Sequence, residues 1–426
     1  MQEANKFYSS QAGDEGYKIA EQRISFFLSD TNDMSLDLSG LNLRRIPKSI
    51  AQSEVSNKLK ELNLAGNGLD DIKLLAELSK LEVLRLNENN LSNVQPLAEL
   101  RQLHHLDLSE NQIHTVTKMA GLGNLRYLNL RGNQIVDLPE QDQTILEFLD
   151  LSNNHIKGID FVTNCPNLSE LRLEGNEIEQ LDPISGCLNL QILDLSRNQI
   201  RRLDPISNLV KLKHLFLQKN HLKDLSPLSG LLDLIELNLS ENKLQEIQHI
   251  DGLNALEILL LNKNEIEILD HIPANLRVLE LRGNGLKRIG SNFEFRRIER
   301  LEISLNNLTS FPLALGDKLI NMREVSLRIG SNPFLKTDKG INQEAYRSEN
   351  GKDVFMVFLS DYQIKKTDAK EAKTEINLPA KIILLGNSDV GKTTLANYLT
   401  GKKVKPGEIE STRILNIMNW KIDATG

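Results

Sequence analysis

An asparagine returns at nearly constant spacing through most of this chain. Asn67, Asn89, Asn111, Asn133, Asn154, Asn176, Asn198, Asn220, Asn242, Asn264, Asn284 and Asn306 form the series, standing at every twenty-second position. Only the steps from Asn133 to Asn154 and from Asn264 to Asn284 are shorter, by one position and by two. The residues ahead of each asparagine are as regular. Leu59, Leu62 and Leu64 lead to Asn67 and Leu69, and Leu81, Leu84 and Leu86 lead to Asn89 and Leu91. The pattern reads LxxLxLxxNxL, and twelve copies in register exclude chance. Apolar residues that return at this period cannot close one globular core. Each unit buries its face only against the next, so the chain must stack.

That pattern is the leucine-rich-repeat signature. The LxL segment reads as a short strand whose leucines point inward while the residues between them point out. Strands of successive repeats are expected to pair in parallel and to line a concave face. The asparagine sits where the chain turns inward after the strand, and its short amide can bond loop backbone groups that lack a ladder partner. Pro96, Pro183, Pro205 and Pro227 recur on the opposite, convex side, where they suit the first position of a short helical turn.

The ends depart from the pattern. Ser35 to Leu43 aligns with the repeat but carries Leu41 where asparagine belongs. Residues Gly16 to Leu28 before it look helical and would cap the first coil. At the other end, Met322, Val325 and Leu327 are read as opening a last repeat, with Asn332 two positions late and Pro333-Phe334 ending the coil. From Leu335 to Ala380 the period is lost. Gly340 to Gly351 is polar and is expected to be a mobile loop. Val354, Phe355, Val357, Phe358, Tyr362 and Ile364 make an apolar face, expected on a short helix through Gln363. Lys365 to Thr374 reads as a charged linker. The expected division is a cap over 1–34, the solenoid over 35–334, a second cap and linker over 335–380, and a further unit over 381–426.

Composition narrows the function. Hydrophobic residues are 40% of the chain but aromatics only 4%, which suits a leucine-built solenoid. Net charge is −7 with both signs interspersed, so no basic surface for nucleic acid is indicated. Met1 to Asp14 is polar and lacks the apolar stretch of a signal peptide. No apolar run is long enough to span a bilayer, so no membrane span is expected and a cytoplasmic location is. Cys165 and Cys187 replace a repeated leucine on adjacent coils, roughly 5 Å apart at the inter-strand spacing. They are expected to pack as small hydrophobes. A disulfide between them is conceivable, but a reducing compartment disfavours it.

The outward strand positions carry mixed charge and scattered aromatics, as a protein-binding face would. They include Asp107, Asp150, Glu170, Asp194, Glu236 and Glu280. The candidates singled out for binding are Arg85, His105, Tyr127, Arg131, Phe148, Arg172, Glu174, His214 and Phe216. A solvated face without a ligand is the alternative. His104 and His105 are adjacent, so on a strand they face opposite ways and do not form a metal pair. Nothing in the repeats resembles a catalytic constellation.

The last segment is different chemistry. Lys381-Ile382-Ile383-Leu384-Leu385 reads as a buried parallel strand. Gly386-Asn387-Ser388-Asp389-Val390-Gly391-Lys392-Thr393 follows and matches GxxxxGK[ST], and Thr394 to Leu399 reads as a helix. The glycines let the loop wrap phosphate, which its backbone N–H groups and the helix N-terminus would bind. Lys392 would reach the β- and γ-phosphates, and the Thr393 hydroxyl would hold Mg²⁺. Thr412, behind the loop Lys402 to Ser411, is a second candidate Mg²⁺ ligand, placed after Lys392 as a switch-I threonine would be. Ile414 to Ile422 reads as the next strand. Asp423 to Gly426 matches DxxG in form but stands too close to Lys392, and is set aside.

The combination resembles the Roco proteins, in which repeats, a Ras-like Roc GTPase domain and a COR dimerisation domain follow in that order. The leucine-rich-repeat kinases are relatives of that family, and this chain looks like a bacterial member. The resemblance rests on repeats ending in Asn-Pro, a short apolar helix, and Leu378-Pro379-Ala380-Lys381 running into the glycine loop. It implies a GTP-hydrolysing switch that binds GTP or GDP with Mg²⁺ and dimerises through COR. The repeats would then bind a protein partner or the protein's own G domain. Only the phosphate loop, Lys392 with Thr393, and Thr412 carry over. The base-reading NKxD element and COR are not in the sequence, and GTP over ATP rests on the resemblance. The expected architecture is α/β: a leucine-rich-repeat solenoid followed by the N-terminal part of a P-loop small-GTPase-like domain. This chain alone is expected to bind nucleotide weakly or not at all and to turn over none. The competing reading is a non-enzymatic repeat scaffold that binds proteins. A surface adhesin like the internalins shares the repeat spacing, but the polar N-terminus and the phosphate loop argue against it.

Overall fold

The computed structural model describes residues 2–371 except 31, 117–121, 139–144, 339–340, 342 and 349, together with 381–382 and 418–419. Fourteen short strands, from Ser35–Asp37 to Ser326–Arg328, form one parallel sheet in chain order. Each strand pairs in register with the next, as Leu84 with Leu106 and Leu193 with Leu215. The inward leucines of successive strands therefore stack directly. Leu62, Leu84, Leu106, Leu171, Leu193, Leu215, Leu237 and Leu259 are all fully buried.

Each ladder asparagine ties two coils together. At Asn198 the side-chain oxygen accepts from the Ile178 N–H at 3.0 Å. Its amide donates to the carbonyls of Leu173 at 2.9 Å, Leu195 at 3.1 Å and Ser196 at 3.1 Å. Leu173 and Ile178 belong to the preceding coil. The backbone just ahead of the asparagine turns through the left-handed region, at Glu88 (φ 56°), Glu110 (φ 52°), Lys219 (φ 59°) and, as glycine, at Gly132 (φ 66°). A side chain there costs roughly 1 kcal/mol, which the buried asparagine network outweighs.

On the convex side most coils cross by a short 3₁₀ turn, such as Gln95–Glu99, Asp182–Gly186, Asp204–Ile206 and Ser226–Leu228. Pro96, Pro183, Pro205 and Pro227 sit at the second residue of these turns, not the first. The shortest repeat, between Asn264 and Asn284, and the one after it have no such turn. They cross in extended form instead, where Ile268–Leu269 pairs with Arg288–Ile289.

Cys165 and Cys187 are buried and free, and burial pushes their thiols up to about 12 and about 11. Each thiol faces a backbone carbonyl, of Phe161 and of Val162, at 3.5 Å. They pack as small hydrophobes and remain protonated.

The N-terminal helix Gln2–Ser29 is longer than the expected Gly16 to Leu28. Ala20, Ile24 and Phe27, spaced along one helical face, are buried against the first coil. Gly16 packs so tightly on the Leu41 carbonyl that a Cβ would collide with it. Leucine replaces asparagine at 41 because no coil precedes it to supply partners. Instead the N–H groups of Leu41 and Leu43 both donate to Asn67.

The C-terminal end corrects the sequence reading in four places. Leu327 pairs with Leu301, so it is the first inward strand leucine and not the second. Asn332 is therefore in register, bonding the carbonyls of Ile303 and Ile329 and the Leu308 N–H as its predecessors do. The longer step from Asn306 to Asn332 accommodates the convex helix Leu313–Leu319. Within the segment expected to be a mobile loop, Ala345–Arg347 forms a 3₁₀ turn whose Tyr346 is buried and donates to Asp361 at 2.7 Å. The expected linker from Lys365 continues the helix Gly351–Glu371. Lys365 and Lys366 anchor it to Asp338 and Asp317. Ile364 is not part of that helix's apolar face and is 44% exposed.

Candidate functional site

Parallel pairing in register places the same strand position of neighbouring coils about 4.8 Å apart. That distance is close to the contact distance of stacked rings, so outward aromatics on consecutive coils pile up. His105 and Tyr127 stack with centroids 4.0 Å apart and planes 8° from parallel. Tyr127 and Phe148 stack at 4.3 Å and 5°. The three half-buried rings make a continuous apolar ladder on the concave face, extended at one end by the buried Val83, which pairs with His105. Burial, with Arg85 adding to it, holds the His105 imidazole below its usual range. Burial, with Asp107 and Asp150, raises the Tyr127 phenol. Both rings are neutral near pH 7 and present an uncharged surface.

Charged side chains flank the ladder. Arg85, Asp107, Asn129, Asp150 and Arg172 form the next column, two residues further along their strands. The acids in it are less available than their outward position suggested. Asp107 accepts from the Ser109 N–H at 3.0 Å and its hydroxyl at 2.7 Å. Asp150 accepts from the Ser152 N–H at 2.8 Å and is 5% exposed. Asp194 does the same with Ser196, and burial raises its carboxyl. These residues terminate their strands by satisfying an N–H that has no partner in the ladder. The Asp-Leu-Ser triplet is their signal in the sequence.

The other candidates are spread out. Arg131 lies 3.6 Å from Glu174 and 3.9 Å from Glu110. Arg172 pairs with Glu170 on its own strand. His214 meets Glu236 at 3.1 Å. Phe216 is half-buried but separated from Phe148 by the coils of Glu170 and Ile192 and lies in the other column, so it does not join the stack. His104 points away from His105 and approaches Glu82 instead. The sequence reading overlooked the outward aliphatics Ile192, Ile258, Leu260 and Val278, which resemble core residues until their strand position is known. Among the described residues there is no cluster of three metal-ligating side chains. No helix among them is long and apolar enough to cross a membrane.

Gly386 to Thr394 and Thr412 lie outside the described residues. Nearby, Lys381–Ile382 pairs with Met418–Asn419 in antiparallel register. A β-branched apolar run identifies a strand but does not specify the direction of its neighbour.

Residues 146–186 and 188–230 match a family model for leucine-rich repeats in two copies. Two further leucine-rich-repeat models match residues 79–135 and 55–72. An internalin structure from Listeria monocytogenes is similar at 24% identity and a TM-score of 0.63, over 80% of this chain and 95% of that one. A leucine-rich-repeat protein of Leptospira interrogans is similar at 25% identity and 0.57, over 72% and 93%. A TDR receptor is similar at 20% and 0.55, over 72% and 66%. No curated protein sequence matches the chain. At these identities the internalin and receptor likenesses concern the fold alone.

Proposed function

We propose that this leucine-rich-repeat solenoid is a protein-binding scaffold whose contact surface is the concave face around His105, Tyr127 and Phe148. The stacked ladder carries the reading. Three neutral rings held by the backbone register have little side-chain freedom to lose, so burying them under a partner is inexpensive in entropy. Aromatic residues ringed by charge are also the usual anchors of protein interfaces. The solenoid's extended concave surface suits a long polypeptide partner, or a nucleotide-binding domain of the same protein. Peptides selected from a random library on the wild-type protein are expected to lose about 100-fold in affinity for the Tyr127→Ala/Phe148→Ala variant, roughly 3 kcal/mol for two truncated anchors. Titration by fluorescence anisotropy checks this. Equal affinity for the variant would move the contact surface elsewhere.

We further propose that residues 386–394 form the phosphate loop of a GTP-binding, GTP-hydrolysing domain of the Roco kind. Lys392 would lie on the phosphates, with Thr393, and Thr412 with it, on Mg²⁺. In the family's pattern the parent protein dimerises through COR. The support is the motif GxxxxGK[ST] directly after an apolar run, Lys381 to Leu385, that reads as a strand. In the full-length protein, Lys392→Ala is expected to weaken a fluorescent GDP analogue about 100-fold in the presence of Mg²⁺, the loss of one charged contact of roughly 3 kcal/mol. Unchanged affinity would end the assignment.

A further inference from the structure

The C-terminal end of the concave face holds a second feature, a trough of about 760 Å³. Four cations line it: Arg282 and Arg328 from the strand side, Lys336 and Arg347 from the segment that follows the last coil. Among the described residues no carboxylate lines it. Several arginines elsewhere on the solenoid meet a carboxylate. Arg300 meets Glu280 on the preceding coil at 2.8 Å, and Arg277 meets Glu299 at 2.9 Å. In the trough, the Arg282 side chain donates to the Ser304 hydroxyl at 2.8 Å. Arg328 approaches Glu302 no closer than 4.0 Å, and that carboxylate is buried and already bonded by Ser304. Among the described residues Lys336 and Arg347 show no ion pair. Tyr346, buried and hydrogen-bonded to Asp361, also lines it.

Gathering four cations with one buried carboxylate in reach is electrostatically unfavourable, and an entering anion relieves it. Guanidinium groups suit carboxylates in particular, because they bind both oxygens at once. Arg282 and Arg328 stand on the same face as the aromatic ladder, so a polypeptide lying along that face reaches the trough. We infer that the trough docks an acidic segment of a protein partner; this rests on the concave-face reading above.

A fluorescein-labelled hexaglutamate peptide is the probe, titrated by anisotropy against the whole chain. The wild type is expected to bind it and not hexalysine, with affinity that falls as salt rises. Lys336→Glu/Arg347→Glu, both exposed positions, is expected to weaken binding at least about tenfold. Lys336→Gln/Arg347→Gln should lose less. Reversal of two charges away from the trough, Arg201→Glu/Lys223→Glu, should change nothing. No binding by the wild type, or equal loss in both reversal variants, overturns the proposal. So does displacement of the peptide by equimolar pyrophosphate, which would mark a small-anion site. The ladder takes no part in this readout, so its failure would register separately, with the selected peptides.

Discussion

Replacing Asn198 by alanine is expected to lower the unfolding free energy by roughly 4 kcal/mol, far more than the loss of an ordinary surface amide. The residue is 7% exposed and makes four hydrogen bonds. Alanine leaves the Ile178 N–H unpaired in a dry interior, at about 1–3 kcal/mol, and removes one of two donors from each of three carbonyls, at about 0.5–1 kcal/mol apiece; Leu173, Leu195 and Ser196 keep Asn176, Asn220 and the Gly175 N–H as donors. Two coils are affected, because the bonds cross from one to the next. Asn198→Asp is the sharper variant. It keeps the acceptor but turns the second oxygen toward three carbonyls, so the carboxylate form is disfavoured in the folded state. Its folded pKa is then raised above the unfolded value. The variant is least stable at neutral pH and recovers as pH falls through that raised pKa. Guanidinium unfolding followed by far-ultraviolet circular dichroism measures both variants. A loss under about 1 kcal/mol in the alanine variant, the size of an ordinary hydrogen bond, would show that the ladder is ornamental.

Phe358→Ala is expected to cost about 4 kcal/mol, with the damage confined to one end of the solenoid. Phe358 is fully buried and stacks on Phe311 at 5.0 Å. Phe311 meets Phe334 edge-on at 5.9 Å, and Phe334 meets Tyr346 at 6.4 Å. This cluster of rings seals the last coil in a chain otherwise poor in aromatics. Removing one ring opens a cavity that the packed helix cannot collapse to fill. A solenoid coil contacts only its neighbours, so amide exchange should accelerate near Ser326–Arg328 and stay unchanged near Ile192–Asp194. Uniform acceleration along the chain would mean that the cap stabilises the whole array cooperatively, contrary to this account.

Much of the architecture was readable in the sequence because the repeat is a one-dimensional code. A periodic asparagine and alternating leucines specify parallel strands, inward faces and stacking, each by local chemistry. The outward positions followed from the same alternation, so His105, Tyr127 and Phe148 could be picked out individually. Their contact could not, since Phe148 follows Tyr127 one position sooner than the period requires, and the repeat alone does not show that the rings stay in register. Nor could the roles of Asp107, Asp150 and Asp194, which look like exposed charges and are spent on strand ends. The last coil was misread because its extra residues became a convex helix, and register there is decided by strand pairing with Leu301 and not by spacing.

The sequence by itself determined the solenoid and its asparagine seams. The tertiary structure decided where unlike parts meet. It sealed the last coil with Phe311, Phe334, Tyr346 and Phe358, and it brought Arg282, Arg328, Lys336 and Arg347 around one trough. The physical reason is range. A repeat encodes contacts between neighbours one coil apart, whereas the cap and the trough join residues from outside the repeat to its last coils, and no period in the sequence records such contacts.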